Sequence, residues 1–238
     1  FIAWCWKAGG AASQNNDGTI QGANCLVSAN QDAGFSITKY TGNGTSGATF
    51  GHGLGQQVGL SIVKNVGSST YWYVYSNLLP TNNNLYLNTA DSKQADGVML
   101  GGNSTTVSIS ASSSVNTNSG SYIAYNFASV NNYQKVGSYT GSSSEHSVNI
   151  GFAPRFIMIK RTDSSGSWRM YDSARDGTSV PRRVNHNLQA NEASIEYDST
   201  SDSNGYFHIT STGLLFYTVN TNTDVNANNG NYIYLAIA

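Results

Sequence analysis

The sequence predicts an all-β protein: two tandem antiparallel β-sandwich modules, jelly-roll-like, preceded by the last strand of a further module. Three observations predict it. One apolar strand pattern occurs three times, matched turns precede two of its copies, and no segment carries a helical period with caps.

The three strands are Phe1–Trp6, Tyr122–Phe127 and Tyr232–Ile237. The turn Ser114–Gly120 matches Asp224–Gly230 at an offset of 224 − 114 = 110. Upstream, Tyr40-Thr41-Gly42 matches Tyr139-Thr140-Gly141 at 139 − 40 = 99, and Leu60–Lys64 matches Phe156–Lys160 at 156 − 60 = 96. Trp72 and Tyr75 match Trp168 and Tyr171 at that same offset. Offsets that drift while order is kept are what insertions and deletions in turns produce. The expected organisation is residues 1–33 as a closing strand plus linker, 34–129 as module 1 and 130–238 as module 2. Phe156–Ile159 and Gly213–Val219 are nearly continuous apolar runs, suited to strands covered on both faces. Two packed sheets per module bury the inward faces without helices, and several sandwich connectivities fit.

Composition supports the reading. Gly (25), Asn (28), Ser (33) and Thr (20) make 106 of 238 residues, while charged residues are only 11%. Small uncharged polar groups therefore supply solubility. The 11% aromatic content argues against a disordered chain. A net charge of −1 without a basic stripe gives nothing to draw in a phosphate backbone, so no nucleic-acid partner is expected. No apolar run reaches the roughly 20 residues of a membrane span, so no membrane insertion is expected. The sequence opens inside an apolar strand without a Met, as expected for a piece of something longer or processed.

Chemistry-bearing residues are sparse. Cys5 and Cys25 set no disulfide or metal framework, and Cys5, within an aromatic strand, is expected to be a buried free thiol. His52 lies in Gly51-His52-Gly53-Leu54-Gly55, which lacks the lysine of a phosphate loop and reads as a turn. Glu192, Glu196 and Asp198 are the best carboxylate group for glycoside chemistry, but module 1 has no counterpart and they read as solvated surface. Residues 198–205 are oxygen-rich, yet lack the spacing of a calcium loop. Asn43-Gly44-Thr45 and Asn103-Ser104-Thr105 fit a glycosylation triplet, which arises by chance in such a composition. Asp172 and Arg175 are placed for a local ion pair. Trp72 with Tyr73, or Trp168 with Tyr171, could stack on a sugar; their recurrence at repeat positions favours a core role instead. No catalytic residues, metal ligands or cofactors are assigned, and the ligand-binding residues stay unknown.

Residues 1–10, Tyr40–Thr45, Gly51–Gly55 and Gly151–Arg161, with the run Trp4-Cys5-Trp6-Lys7-Ala8-Gly9-Gly10, resemble a repeat of unknown function. That repeat occurs in tail-fibre-like and structural virion proteins of marine and cyanobacterial tailed phages. The chain departs from it where Tyr232–Ala238 lacks the Trp/Cys pair and where module 1 lacks the Pro of Gly151-Phe152-Ala153-Pro154. The resemblance implies a non-enzymatic virion surface protein, a tail-fibre or appendage segment for assembly and contact with a host surface glycan or receptor. The alternatives are a capsid decoration or fibre shaft without a host ligand, and a carbohydrate-binding or polysaccharide-degrading adhesin. Sandwich edge strands with few Lys or Pro guards lead to an expectation of self-association, with a trimer implied by likeness to phage fibres and other virion proteins as neighbours.

Overall fold

The computed structural model describes residues 4–198, 206–217 and 222–238. Their contacts divide the chain into two compact units: Phe1–Tyr86 with Gln94–Val130, and Leu87–Lys93 with Asn131–Ala238.

Unit 1 contains β1 (Ser13–Asn15), β2 (Gly22–Asn30), β3 (Phe35–Thr41), β4 (Ala48–Gly51), β5 (Val58–Asn65), β6 (Tyr73–Ser76), β7 (Leu85–Tyr86), β8 (Met99–Gly102), β9 (Thr106–Ile109), the single-turn helix α1 (Ser113–Asn116) and β10 (Ser121–Ala128). A seven-stranded sheet runs β1-β2-β3-β10-β5-β6-β7, and a three-stranded sheet runs β4-β9-β8. Unit 2 contains β11 (Gln134–Thr140), β12 (His146–Asn149), β13 (Phe156–Arg161), β14 (Arg169–Asp172), α2 (Ser173–Asp176), β15 (Arg182–Val184), β16 (His186–Gln189), β17 (Tyr197–Asp198), β18 (Phe207–Thr210), β19 (Gly213–Phe216), α3 (Thr223–Asn226) and β20 (Asn231–Ile237). Its sheets run β11-β20-β13-β14-β16-β17 and β12-β19-β18-β15. The fold is an all-β sandwich in which every ladder between named strands is antiparallel.

The strand registers reproduce the repeat. Central β10 pairs Tyr122 with Tyr40 and Phe127 with Leu60; central β20 pairs Tyr232 with Tyr139 and Ile237 with Phe156. Ser61 faces Tyr75 as Ile157 faces Tyr171. Tyr122–Phe127 and Tyr232–Ile237 are therefore equivalent strands. In each unit one core lies between the two sheets: Tyr40, Val63, Tyr122 and Ala124 meet Phe50, Val107 and Ile109, while Ile157, Tyr171, Tyr232 and Ala236 meet Phe207, Leu214 and Phe216. β13 is buried at Phe156–Lys160, in keeping with its unbroken apolar pattern. Thr218 and Val219, at the end of the other run, lie outside the described residues.

The matched turns turn out to contain the short helices that periodicity could not reveal. Ser112 Oγ accepts from Ser114 N (3.3 Å) and Asn222 Oδ1 from Asp224 N (3.0 Å), capping α1 and α3. Tyr40 and Tyr122 stack with centroids 5.0 Å apart, Tyr139 and Tyr232 at 4.8 Å. The first phenol of each pair donates to the carbonyl of Val115 or Val225 (both 2.6 Å). The second donates to Ser113 O (2.9 Å) or Thr223 O (2.7 Å) and accepts from Thr117 N or Ala227 N (both 2.7 Å). Gly42 and Gly141 complete the corner, because a Cβ there would lie 2.3 or 2.2 Å from Thr117 O or Ala227 O. Each corner ties one turn to two strands.

The expectation for residues 1–33 needs two corrections. Residues 4–6 form no strand, and 1–3 lie outside the described residues. Trp6 is half-buried against Phe35 (6.3 Å) and Phe127 (6.1 Å), and Cys5 is exposed, not a buried thiol. Trp6 gains its burial by packing its ring against these two phenylalanines. The stretch expected to be linker carries β1 and β2, which extend the large sheet beyond β3. The chain before β1 lies close against β2: Asn30 Nδ2 donates to Lys7 O (3.1 Å), Ser28 Oγ to Gly10 O (2.7 Å), and a Cβ on Gly9 would meet Ala29 O at 2.0 Å. Cys25, on β2, is fully buried. Polar neighbours disguised these strands, although β2 sends Cys25 and Val27 into the core of unit 1.

Candidate functional site

The three carboxylates singled out by sequence take different partners. Glu192 accepts from Ser167 Oγ (3.1 Å) and Ser194 Oγ (3.1 Å); Glu196 pairs with Arg175 Nε; Asp198 faces His186 Nε2 at 3.5 Å. Asp172 and Arg175 form the expected ion pair (2.7 Å), and Asp172 Oδ1 also caps α2. Both nitrogens of His186 meet carboxylates, because Asp176 Oδ1 lies 2.7 Å from Nδ1. The bond to Asp176 raises the His186 pKa above its ordinary value. This network ties α2, β16 and β17 together. Residues 199–205, most of the oxygen-rich segment, lie outside the described residues. Among the described residues, no group of three His, Cys, Asp or Glu could hold a metal ion. No helix among them is long and apolar enough to cross a membrane.

His52 is a turn residue, fully buried, its Nδ1 accepting from Leu54 N (3.2 Å) and its Nε2 3.2 Å from Asn103 O. These partners fix the Nε2–H tautomer, and burial lowers the pKa. Gly53 and Gly55, at φ 67° and 68°, supply the left-handed backbone of that turn. Both glycosylation-like triplets are local turns: Asn43 Oδ1 accepts from Thr45 N and Asn103 Oδ1 from Thr105 N. Elsewhere in unit 1, Asn126, Ser36, Thr38 and Ser61 form a fully buried polar group, with Asn126 bonded to all three hydroxyls at 2.7–3.2 Å.

The aromatic residues divide between the two units. Trp168 and Tyr171 are core, each 1% exposed. Tyr75 is also buried, but Trp72 is only half-buried, and Tyr71 beside it is 46% exposed while stacked on Tyr86 at 4.3 Å. Tyr86 in turn donates to Asp96 Oδ2 (2.7 Å).

That contrast traces to one hairpin, present twice. In unit 2, Lys160 has no exposed surface, and its Nζ donates to Gly166 O (2.7 Å), Arg161 O (2.9 Å) and Ala90 O (3.3 Å). Burial lowers its pKa to about 8. Ala90 belongs to segment 87–93, which packs within unit 2: Gly166 N donates to Ala90 O (2.8 Å) and Lys93 N to Thr162 O (3.0 Å). In unit 1 the equivalent Lys64 donates, among the described residues, to Ser68 O (2.8 Å) and Thr70 O (3.2 Å). Thr162 and Ser167 are 6% and 7% exposed; their counterparts Val66 and Tyr71 are 64% and 46% exposed. Sequence reasoning aligned Lys64 with Lys160 but gave no sign that a distant segment would cover one corner and leave the other open.

No curated protein and no solved structure matches the chain. A family model described as a domain of unknown function, DUF7483, matches residues 1–238, and the chain belongs to that family.

Proposed function

We propose that this chain is a non-enzymatic structural module of a virion surface, a tail-fibre or appendage segment whose work is assembly and contact with a host surface. The observation that carries the reading is the duplicated sandwich, in which the ionisable side chains of the described residues hold turns and strand edges. A surface of Ser, Asn, Thr and Gly with a net charge of −1 lets like modules pack closely with little mutual repulsion. The likeness of residues 1–10, 40–45, 51–55 and 151–161 to virion appendage repeats points the same way. The partners under this reading are further copies of the chain, with a trimer as the working stoichiometry, other virion proteins, and a host glycan or receptor.

Gold-labelled antibody against the chain, viewed on intact particles by electron microscopy, tests the proposal. Label along a tail appendage is expected. Label spread over the capsid shell would replace the appendage with a decoration role, and absence of label from particles would overturn the virion reading. A glycan array with the purified chain tests host contact separately.

A further inference from the structure

We propose that the loop 188–196 of one chain docks on the Lys64 corner of a second copy. The inference deepens the assembly reading and rests on it.

The precedent is internal. Asn84 bridges Gln94, and Asn187 bridges Tyr197. Each bridge closes a loop of equal span, since 94 − 84 = 10 and 197 − 187 = 10. The strands entering them correspond as well: Leu85 faces Val74 and Leu188 faces Met170, and 170 − 74 = 96 is the hairpin offset. Loop 85–93 and loop 188–196 are therefore one element at an offset of 103, which equates Ala90 with Ala193 and Asn88 with Asn191.

The first loop has a docking place. Its segment 87–93 lies on the Lys160 hairpin, where Ala90 O takes the third donor of the ammonium and the Gly166 amide. The second loop is held at its base, with Asn191 Oδ1 accepting from Trp168 N (2.9 Å) and Glu196 paired with Arg175. Its apex is open: Glu192 to Tyr197 are all exposed, Ile195 at 91%. The Lys64 corner is the complementary vacancy. Lys64 meets two carbonyls although an ammonium carries three donors, and apolar Val66 and Tyr71 stand exposed beside it. A preformed loop loses little conformational freedom on docking. Ile195 and the Val66–Tyr71 surface supply the apolar burial, and Ala193 O supplies the acceptor that Ala90 O supplies to Lys160.

Loop and corner are different surfaces, so the contact is heterologous: repeated, it builds a fibre or closes a ring. A single loop buries well under the roughly 1,000 Å² of a stable interface, so free chains associate weakly and arrayed ones firmly.

Cross-linking tests the contact on the whole chain. In a Cys5→Ser background, which removes the exposed thiol, an Ala193→Cys chain and a Thr70→Cys chain are mixed and treated with a short bis-thiol reagent. The mixture is expected to give at least about ten-fold more cross-linked dimer than either chain alone, as proximity at a docked contact requires. Equal yields in all three samples would overturn the proposal. Sedimentation velocity gives a second readout: Ile195→Asp and Val66→Asp, both at exposed positions, are each expected to abolish concentration-dependent association. Association unchanged by both substitutions, or a clean monomer at high concentration, also overturns it. Neither result moves the antibody label on particles, so failure of the docking and failure of the virion reading are separately visible.

Discussion

The Lys160 and Lys64 corners are built from hairpins of equal length at equivalent places in two copies of one sandwich, yet one is sealed and the other half-open. The difference is not in the hairpin strands. It lies in whether a neighbouring loop brings one carbonyl and a short stretch of backbone to cover the turn. Where it does, the ammonium is buried and its pKa falls to about 8, the Gly166 amide gains an acceptor and the Thr162 carbonyl a donor, and the following Trp enters the core. Where it does not, the lysine is half-buried on two carbonyls and the tryptophan is half-buried. The repeat keeps the lysine and the tryptophan of the corner, and the environment fixes what they are worth.

The largest expected effect that sharpens this contrast is at the tryptophans. Trp168→Ala empties a fully buried site and is expected to lower stability by about 3–5 kcal/mol, whereas Trp72→Ala is expected to cost under about 2 kcal/mol. Urea unfolding followed by circular dichroism measures both. Equal losses would erase the distinction between the corners.

Next come the lysines. Lys160→Met strips three carbonyls of their donor in a buried place, for an expected loss of about 2–3 kcal/mol; Lys64→Met is expected to stay within about 1 kcal/mol. The same unfolding curves decide it, and a larger loss at Lys64 would contradict the structure.

The tyrosine corners serve as the control, since both units give the hydroxyl the same two backbone bonds, with Asn65 a weaker third neighbour at 3.4 Å in unit 1. Tyr122→Phe and Tyr232→Phe each remove a hydroxyl bonded to two backbone groups and are expected to cost about 1–2 kcal/mol apiece. Costs differing by more than about 1 kcal/mol, beyond the usual scatter for like sites, would mean that the repeat is equivalent in outline only.

The smallest effects concern pH, and here the units oppose each other. His186 has a raised pKa, so its bridge contributes fully below the unfolded value of 6.5 and is lost as pH rises through the higher folded value. His52 has a lowered pKa. Between its folded value and 6.5 the unfolded chain holds a proton that the folded chain refuses, so stability falls as pH drops through that window. Thermal melts at about pH 5.5 and about pH 8 are expected to show His186→Gln destabilising mainly at the lower pH. The wild-type advantage over His52→Gln is expected to be greater at the higher pH. The reverse pattern for either would refute the assigned partners.

Much of this architecture was legible beforehand. The β class, the two copies, the equivalence of Tyr122–Phe127 with Tyr232–Ile237, the core place of Trp168 and Tyr171, and the Asp172–Arg175 pair all follow from pattern and spacing. Residues 7–33 misled because most of them are Gly, Ala, Ser and Asn, and the short apolar alternation of Cys25 and Val27, which β2 sends into the core, is hidden among them. Residues 4–6 misled in the opposite sense: they have the composition of a strand, and Trp6 buries instead on Phe35 and Phe127. Glu192, Glu196 and Asp198 looked like a group because they are close in sequence, yet each is held by a different partner, Ser167, Arg175 or His186.

The sequence by itself determined what is local and periodic: strand period, turn chemistry, and the order in which both recur. Those depend on a residue's own conformational preferences and on the alternation that any covered sheet imposes. Only the tertiary structure decided that segment 87–93 packs with Lys160, that β1 and β2 join the large sheet, and that His186 sits between two carboxylates. Those are choices among long-range partners for backbone and side-chain polar groups. A carbonyl satisfies a donor equally well from residue 90 or from residue 193, so only the packed fold selects between them.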